Sequence, residues 1–556
     1  MRAGLLVAAS IGVLAAWPAC ADTTQFEVSF AAAAHPGPIT GRLVLILATR
    51  ETPEPRLTVH PLGPAIFGVD LDQLEAGESI IVDDSAGGYP MRSLAEVPEG
   101  DYFAQAVIHV YTQVHRADRH RLWVHMNDGT ISTFNTAPGN LFSGVTPVHI
   151  GQGGTIRIVV DQIISPVESP HDTEWVKRVQ IQSAKLTEFW GHPVFINATV
   201  LLPRGYAENP DVHYPTIFTF GHNVPFSFNT DPAGMRGREG IDPVTGLETG
   251  YAFHQSWISD DFPRVIAISF QQQTPFFPDS YSVNSGNNGP YGDAMIEEVI
   301  PWLEEHFRMI PKPYARIVEG ASTGGWQALA LQLKYPDYFG GAWVLQPDPI
   351  DFTRYGLVNI YEDDNAFVVR TGPFTETERP MRRTVDGQVL WTMRDLSRFE
   401  AVLGSHGRSG YQLMAWEAVY GPAGEDGYPR PLWDKNTGEI DREVAISMRE
   451  NGFDLREYAK RNWDEIGHKV NGKLFFFCGD MDDFYLNLAV YEFEKFLHAV
   501  EESEGINAGS VAKFTYGRPR KGHFWHATTW AQMVRDMAEH IRQHAPEDAN
   551  ELWVND

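Results

Sequence analysis

The sequence predicts an α/β fold with a doubly wound, mostly parallel sheet, an inserted helical cap and a preceding N-terminal β-sandwich domain. Three observations predict this. Short alternating apolar runs with little helical periodicity fill residues 22–165. From about residue 175, strand-like runs alternate with helical ones, which is typical of a sheet covered on both faces. Residues 349–471 then interrupt the alternation and are long enough to carry structure of their own.

The N-terminal domain is predicted as a β-sandwich over residues 22–165. Residues 165–170, which contain two prolines, are typical of a linker. The clearest predicted strands are Gln25–Phe30, Leu43–Ala48, Ser79–Val82, Tyr102–Val110 and Thr155–Val160.

The second domain is predicted over residues 175–556. Its predicted strands are Val176–Leu186, Val194–Leu202, Thr216–Phe220, Val265–Phe270, Arg316–Glu319, Ala342–Gln346, Lys473–Cys478 and Val511–Tyr516. Its predicted helices are Ala294–Phe307, Trp326–Tyr335, Leu488–Glu501 and Trp530–His544. The cap insert, residues 349–471, is predicted to contain helices at Met393–Leu403, Tyr411–Tyr420 and Arg442–Arg449.

The amino-acid composition excludes several classes of protein. The chain has 556 residues, of which 43% are hydrophobic and 12% aromatic, so it is not a disordered protein. Lys and Arg number 44 against 72 Asp and Glu, giving a formal charge of −28. Phosphates would repel such a chain, so no nucleic-acid partner is expected. Beyond the N-terminus no run approaches the ~20 apolar residues of a membrane span.

Residues 1–21 are predicted to be a cleavable signal peptide. A positive start precedes the apolar residues 4–16, and Ala-Cys-Ala at 19–21 fits a cleavage site. A secreted or periplasmic location is therefore expected. Two alternatives remain open: an apolar N-terminal strand or helix, and lipid modification of Cys20. After cleavage Cys478 is the one remaining cysteine, so no internal disulfide is expected.

The segment Gly320–Gly324 reads G-A-S-T-G, the G-x-S-x-G pattern of a nucleophile elbow. A predicted strand leads into it and a predicted helix leads out, which is the setting that this turn requires. The glycines are expected because side chains on either side of the serine would clash in the tight turn. Ser322 is therefore the candidate nucleophile, and the alternative is a glycine-rich turn with an incidental serine.

A serine hydroxyl needs a base and an acid, which in this fold follow it in the order acid, then histidine. The predicted strand Lys473–Cys478 is followed by three aspartates, and spacing from Gly479 favours Asp482 over Asp480 and Asp483. A calcium loop is the other interpretation of this acidic run, but it lacks the further spaced oxygen ligands.

The histidine is expected after one more helix and strand. His523, directly after a glycine, is the candidate base, with His526 as its rival. For the oxyanion hole, the backbone N–H groups of Thr323 and His222 are the candidates, since one follows the nucleophile and the other follows an early strand. No metal ligands and no cofactor are predicted.

Two further regions are candidate contacts for substrate. The polar and aromatic loop 270–289 suits a sugar or phenolic group, although an ordinary polar loop would have the same composition. Trp391, Trp416 and Trp433 of the insert are expected either to line a pocket or to form the core of the cap.

Residues from about 176 to 545 resemble the putative-esterase family of α/β-hydrolases, which includes esterase D and feruloyl esterases. The segments that carry the resemblance are Leu202–Tyr206, Glu297–Leu303, Gly320–Gly325 with Leu333–Phe339, Gly479–Asn487 and Gly522–Trp525. The resemblance implies carboxylic-ester hydrolysis and makes Asp482 and His523 the positions that match the family acid and base. The sequence departs from the family at Phe220-Gly221, where a His-Gly pair is common, and in its long insert.

The residues together predict an exported serine carboxylic-ester hydrolase with a Ser-His-Asp triad and an acyl-enzyme intermediate. The expected substrate is a small-molecule or carbohydrate-linked ester, either feruloyl or another plant-polymer ester, or a small aryl or alkyl ester. An acyltransferase on the same triad, a serine peptidase and a non-catalytic binding protein are the alternatives. The oligomeric state is not predicted.

Overall fold

The structure is a computed structural model that describes residues 23–126, 133–168, 170–221, 227–234, 240–242, 247–547, 549 and 553. The predicted signal peptide 1–21 and the oxyanion candidate His222 lie outside the described residues. Among the helices that are described, none combines the length and apolar character needed to cross a membrane.

Over its described residues, the N-terminal domain consists of strands and two short 3-10 helices, Pro55–Thr58 and Leu94–Glu96. The bounds of the strands are β1 (Thr24–Phe30), β2 (Ile39–Ala48), β3 (Ala65–Leu74), β4 (Ser79–Val82), β5 (Gly87–Tyr89), β6 (Gly100–Val110), β7 (Thr112–His115), β8 (Arg121–Val124), β9 (Leu141–Ser143), β10 (Thr146–Ile150) and β11 (Gly154–Ile163). Nine of them hydrogen-bond into one sheet with the order β4-β1-β11-β9-β6-β2-β3-β5, with β10 on β6, while β7 and β8 form a hairpin.

This sheet encloses its own core. Inward-facing residues of β1, such as Phe26 and Val28, share one apolar cluster with Leu43 and Leu45 of β2. The strands of this region therefore belong to one nine-stranded sheet with a shared core, and the sandwich expected for residues 22–165 stays a prediction. The opposite face of β2, including Val44, packs into the large core of the second domain, so the two domains share a buried interface.

The second domain contains an eight-stranded sheet. Its strands are β12 (Val176–Gln182), β13 (Phe195–Leu201), β14 (Thr216–Phe220), β15 (Ile266–Gln271), β18 (Arg316–Ala321), β19 (Gly341–Leu345), β24 (Leu474–Gly479) and β25 (Ala512–Gly517), and two-residue strands β16 (Asn284–Ser285) and β17 (Gly289–Pro290) pair outside it. The order is β12-β13-β15-β14-β18-β19-β24-β25. The first two pairings are antiparallel and the others parallel, as predicted for a mostly parallel sheet.

Helices cover this sheet. They are α1 (Ala184–Trp190), α2 (Gly250–Trp257), α3 (Tyr291–Ala294), a π-helical turn Met295–Val299, α4 (Ile300–His306), α5 (Thr323–Lys334), α10 (Asn487–Glu504) and α11 (Trp530–His544). The predicted helix 294–307 is the continuous run from α3 to α4. One predicted element is wrong in part: the strand expected to reach Leu186 ends at Gln182, because the Ser183 hydroxyl accepts the Leu186 N–H and begins α1.

The predicted insert contains a short 3-10 helix at Phe352–Arg354, two hairpins and four α-helices. The hairpins and α-helices are β20 (Val368–Gly372) with β21 (Thr375–Glu378), β22 (Pro380–Arg383) with β23 (Val389–Thr392), and α6 (Met393–Leu403), α7 (Gln412–Tyr420), α8 (Arg442–Glu450) and α9 (Leu455–Val470). Helix α9 packs beside α5 and α10, in a helical layer of the sheet. The hairpin β22–β23 and helices α6 and α7 instead contribute residues to a cavity above Ser322.

Candidate active site

Ser322 occupies a sharp turn between a strand and a helix. β18 ends at Ala321, α5 begins at Thr323, and Ser322 between them has φ 56° and ψ −119°. A Cβ atom on Gly320 or Gly324 would collide with the carbonyl oxygen of Phe220. The glycines are therefore required by close approach of the backbone to β14, which is the clash that the motif predicts.

Asp482 and His523 form a buried pair. His523 Nδ1 lies 2.7 Å from Asp482 Oδ2, and the pair is almost completely shielded from solvent. The other carboxylate oxygen, Oδ1, accepts the backbone N–H groups of Phe484 at 2.9 Å and Leu486 at 3.2 Å. Each oxygen of Asp482 thus has a defined partner, and the carboxylate holds one ring nitrogen of the imidazole.

Asp480 and Asp483, the alternatives to Asp482, accept backbone hydrogen bonds from the loop that carries His523. Asp480 Oδ1 accepts the Lys521 N–H at 2.9 Å, and Asp483 Oδ1 accepts the His523 N–H at 3.1 Å. It is His523, and not its rival His526, whose ring bonds Asp482.

The electrostatic surroundings favour the protonated form of His523. Burial is the largest single influence and would lower the pKa of the imidazole, while the charge and hydrogen bond of Asp482 raise it. The charges of Asp348 and Asp483 act in the same direction, so the pKa of His523 is raised above its ordinary value. An imidazole that gains stability on protonation is suited to accept a proton from a nucleophile.

Asp348, a residue that the sequence analysis missed, contacts the candidate nucleophile directly. The Ser322 hydroxyl donates to Asp348 Oδ1 at 3.2 Å, and Asp348 is 2% exposed. Asp348 follows β19, the neighbour of β18 in the sheet. Parallel strands end at the same edge of a sheet, so a polar residue just after β19 is expected close to Ser322. This position could have identified Asp348 from the sequence.

The second oxygen of Asp348 is held by side chains from three segments. Oδ2 accepts from the Tyr281 hydroxyl at 2.6 Å, from Thr323 Oγ1 at 2.9 Å, and from Gln412 Nε2 and Trp416 Nε1 at 3.1 Å each. We call Asp348 with these four residues the floor cluster. With Ser322, five donors surround this buried carboxylate and fix its position.

Ser322, Asp348 and His523 line one cavity of about 340 Å³. The wall is mainly aromatic and aliphatic, a composition typical of small-molecule sites. Other lining residues are Pro61, Met381, Arg382, Trp391, Leu396, Tyr411, Gln412, Trp416, Phe484, Leu486 and Phe524. Pro61 comes from the N-terminal domain, which therefore supplies part of the cavity wall.

Trp391, Trp416 and Trp433 of the insert divide between the two predicted roles. Trp391 and Trp416 line the cavity, whereas the Trp433 Nε1–H donates to Ser397 Oγ at 3.0 Å inside the insert. Trp433 is 1% exposed and so belongs to the insert core.

The polar loop 270–289 is largely buried and does not line the cavity, contrary to the expected substrate contact. Its polar groups bond one another and α5: Gln272 Nε2 lies 2.9 Å from Gln327 Oε1, and Gln327 Nε2 donates to Asp279 Oδ1 at 2.8 Å. Tyr281, with φ 62°, projects from this loop to Asp348. The loop thus supports the floor cluster.

Of the two oxyanion candidates, Thr323 is the first residue of α5, where helix N–H groups lack partners within the helix. Its backbone therefore stands directly after Ser322, as the motif predicts. His222 follows the end of β14 but lies outside the described residues, so its role remains a prediction.

Residues 195–402 match the family described as "Putative esterase". This match confirms the predicted resemblance, and with it the class of carboxylic-ester hydrolases. The matched segment includes Ser322 and Asp348, while Asp482 and His523 lie beyond it. No curated protein matches the sequence.

Several solved structures are similar to the chain. A ferulic acid esterase matches with 14% identity over 66% of this chain and 99% of its own, with a TM-score of 0.31. A fluorophosphonate-binding serine hydrolase of Staphylococcus aureus, FphF, matches with 14% identity over 66% and 98%, with a TM-score of 0.31. A ferulic acid esterase of Anaeromyces mucronatus matches with 12% identity over 67% and 93%, with a TM-score of 0.27. These likenesses are too distant to bear on the substrate.

Proposed function

We propose that the chain is an exported serine carboxylic-ester hydrolase in which Ser322 is the nucleophile, His523 the general base and Asp482 the acid that orients it. The observation that carries the proposal is the buried Asp482–His523 pair at 2.7 Å, whose histidine lines one cavity with the strained serine of a G-x-S-x-G turn. Export rests on the signal-peptide pattern of residues 1–21.

The reaction begins when the Ser322 hydroxyl turns from Asp348 toward the free ring nitrogen of His523. Oγ attacks the ester carbonyl carbon while His523 takes the proton. The resulting imidazolium is stabilised by Asp482. The Thr323 N–H, together with that of His222, holds the oxyanion. His523 then protonates the leaving alcohol, and water hydrolyses the acyl-enzyme by the same route.

The aromatic cavity suits an aryl or alkyl ester, including feruloyl and other plant-polymer esters. A substrate group placed between Trp391, Trp416 and Phe484 would contact aromatic surface on several sides. The N-terminal domain contributes Pro61 to this wall, and the Tyr411 hydroxyl donates to the Val59 carbonyl at 3.4 Å to hold the neighbouring loop. The domain would thus help define which substrates fit.

The test compares wild type with Ser322→Ala on p-nitrophenyl acetate, p-nitrophenyl octanoate and methyl ferulate. We expect wild type to hydrolyse at least one ester and the variant to lose about a thousandfold or more in kcat/KM. Equal activity of the two proteins would exclude Ser322 as the nucleophile. Adding an alcohol acceptor distinguishes hydrolysis from acyl transfer, and an amide substrate tests peptidase activity.

The proposal of export is tested separately. Expression with the native N-terminus in a bacterial host should give a mature protein that begins at Asp22 outside the cytoplasm. A full-length cytoplasmic product would contradict it. Retention on membranes with a modified Cys20 would favour the lipid-anchored alternative instead.

A further inference from the structure

We propose that Asp348 is a specificity-determining residue that selects esters whose acyl group bears a hydrogen-bond donor, a hydroxyl or an ammonium, on the carbon next to the scissile carbonyl. This inference rests on the proposed function, since it assigns a substrate class to the same site. It is supported by the change in the hydrogen-bond partners of Asp348 between the free protein and the acyl-enzyme.

In the free protein both oxygens of Asp348 have partners. Four side-chain donors converge on Oδ2, while Ser322 is the donor to Oδ1 among the residues that the structure describes. Oδ1 therefore depends on the nucleophile for its hydrogen bond. Asp348 also lines the cavity, so a bound substrate can reach this carboxylate.

Acylation removes that hydrogen bond. Oγ forms a bond to the acyl carbon, the ester C–O bond breaks, and the serine proton passes through His523 to the leaving alcohol. Acylated Ser322 has no hydrogen to donate, so Oδ1 is left as a buried carboxylate oxygen without its donor. Leaving such an acceptor unsatisfied is costly, and a donor carried by the substrate would remove this cost.

Geometry assigns the donor to the acyl group. A substituent on the carbon next to the carbonyl is three bonds from Oγ, or roughly 3 Å away at ordinary bond lengths. Asp348 Oδ1 is itself 3.2 Å from Oγ, so the two atoms can come within hydrogen-bond distance. The leaving alcohol must face His523, which protonates it, and so it cannot also serve Asp348.

The arrangement resembles a site that binds a polar group of its substrate. Such a site rejects analogues that lack this group. The four donors on Oδ2 fix the carboxylate in place. They leave Oδ1 directed toward the serine, and the surrounding wall is apolar. The expected substrate therefore combines a hydrophobic body with one polar substituent next to the ester carbonyl.

The experiment compares four methyl esters that differ at one position: mandelate, phenylglycine, phenylacetate and α-fluorophenylacetate. The fluoro ester is the matched control, because fluorine withdraws electrons and is similar in size to a hydroxyl but donates no hydrogen bond. Methyl lactate and methyl 2-fluoropropionate repeat the comparison for a cavity too short to admit a phenyl ring.

We expect wild type to prefer a donor-bearing ester over its fluoro control by about tenfold to a hundredfold in kcat/KM. Mandelate and phenylglycine distinguish a hydroxyl from an ammonium as the preferred donor. In Asp348→Asn the four donors should hold the amide oxygen at the position of Oδ2, so the NH2 group faces the substrate and no acceptor remains there. The preference should then fall to about one, because the donor-bearing esters lose more rate than the fluoro ester. The wild-type ratio tests the proposal even if the variant does not fold.

Three results would overturn the inference. A wild-type ratio near one would show that no donor is required. Equal slowing of every ester in Asp348→Asn would instead assign Asp348 to the chemistry common to all substrates, such as holding the deacylating water. If wild type hydrolyses no ester faster than Ser322→Ala does, p-nitrophenyl acetate included, the proposed function itself fails and this inference with it.

Discussion

Two buried carboxylates contact side chains of the same cavity, Asp348 through Ser322 and Asp482 through His523, and they are held in different ways. Asp482 bonds the His523 ring and two backbone N–H groups from its own loop. Asp348 bonds Ser322 and four side chains of the floor cluster, drawn from loop 270–289, α5 and α7. A carboxylate held by its own loop is specified by a short motif, whereas one held by distant side chains is specified by the tertiary fold.

The difference also separates their expected roles. Asp482 acts on the base, because it holds the imidazole and stabilises its cation in every turnover. Asp348 contacts the nucleophile and faces the space where substrate binds, so its effect should depend on the substrate. The predictions below test this contrast, beginning with the largest expected effect.

Asp482→Asn should lower kcat/KM by about 10³–10⁴-fold on every ester, because the amide no longer favours the imidazolium and selects the wrong tautomer. Steady-state kinetics on p-nitrophenyl acetate measures this loss. Asp480→Asn is the matched control: it keeps an acceptor oxygen for the Lys521 N–H and does not contact His523, so a loss below about tenfold is expected. Equal losses in the two variants would contradict the assignment of the acid.

Asp348→Asn should move the acid limb of the kcat/KM profile to lower pH. Activity rises as His523 loses its proton, and the negative charge of Asp348 helps to raise that pKa. Removing the charge lowers the pKa, so the base becomes neutral at a lower pH. The profile is measured on p-nitrophenyl acetate, which lacks the α-donor.

A surface variant serves as the control for this shift. Asp337→Asn breaks an ion pair with Lys469, 2.6 Å from the carboxylate, and should leave the profile in place. A limb that stays at the wild-type position in Asp348→Asn, or moves to higher pH, would contradict the electrostatic coupling between Asp348 and His523.

Tyr281→Phe should reduce kcat/KM on methyl mandelate by about threefold to tenfold, because it removes the shortest hydrogen bond to Asp348, at 2.6 Å. Tyr291→Phe is the matched control: its hydroxyl is also buried, but it donates to the Gln273 carbonyl at 2.8 Å. The control should lose stability and retain activity within about twofold. If both variants lost activity equally, the effect would be general loosening of the loop.

Asp279→Asn should change the pH dependence of stability. Burial raises the pKa of Asp279 to about 7, and this outweighs the hydrogen bonds from Tyr281 and Gln327. The folded protein keeps this proton up to about pH 7, whereas the unfolded chain releases it near pH 4. The free energy of unfolding should therefore fall between these pH values, by a few kcal/mol at most at about 1.4 kcal/mol per pKa unit.

The asparagine variant removes that dependence and keeps an oxygen for both donors. Denaturant unfolding at pH 5 and pH 8 measures the difference for both proteins. The same pH dependence in the two would contradict the account of Asp279. Asp279→Asn should change stability, and of these variants it should change kcat/KM the least.

Much of the fold follows from local pattern. The bounds of β14, α6 and α11 agree with the predicted Thr216–Phe220, Met393–Leu403 and Trp530–His544 to the residue. These elements have clear boundaries, such as the Thr392 and Thr529 N-caps. The helix beginning at Ala184 was missed because the apolar residues around it also fit a strand, and the Ser183 cap decides between the two.

The candidate site also contains residues that local sequence patterns identify and residues that they do not. Ser322, Asp482 and His523 could be selected because each stands just after a predicted strand in a fixed order. Asp348 also follows a strand, but its donors Tyr281 and Trp416 are distant along the chain, and no local pattern links them. The burial of loop 270–289 was equally beyond sequence reasoning, since polar residues that bond one another inside a protein have the composition of an exposed loop.

The most direct test of the central claim is to identify the residue that becomes covalently acylated. Wild type, Ser322→Ala and His523→Ala are incubated with a fluorophosphonate, digested and analysed by mass spectrometry. We predict one label per chain, on the peptide that contains Ser322, with no labelling of Ser322→Ala and much slower labelling of His523→Ala. A label on another residue, or equal labelling of wild type and Ser322→Ala, would contradict the account.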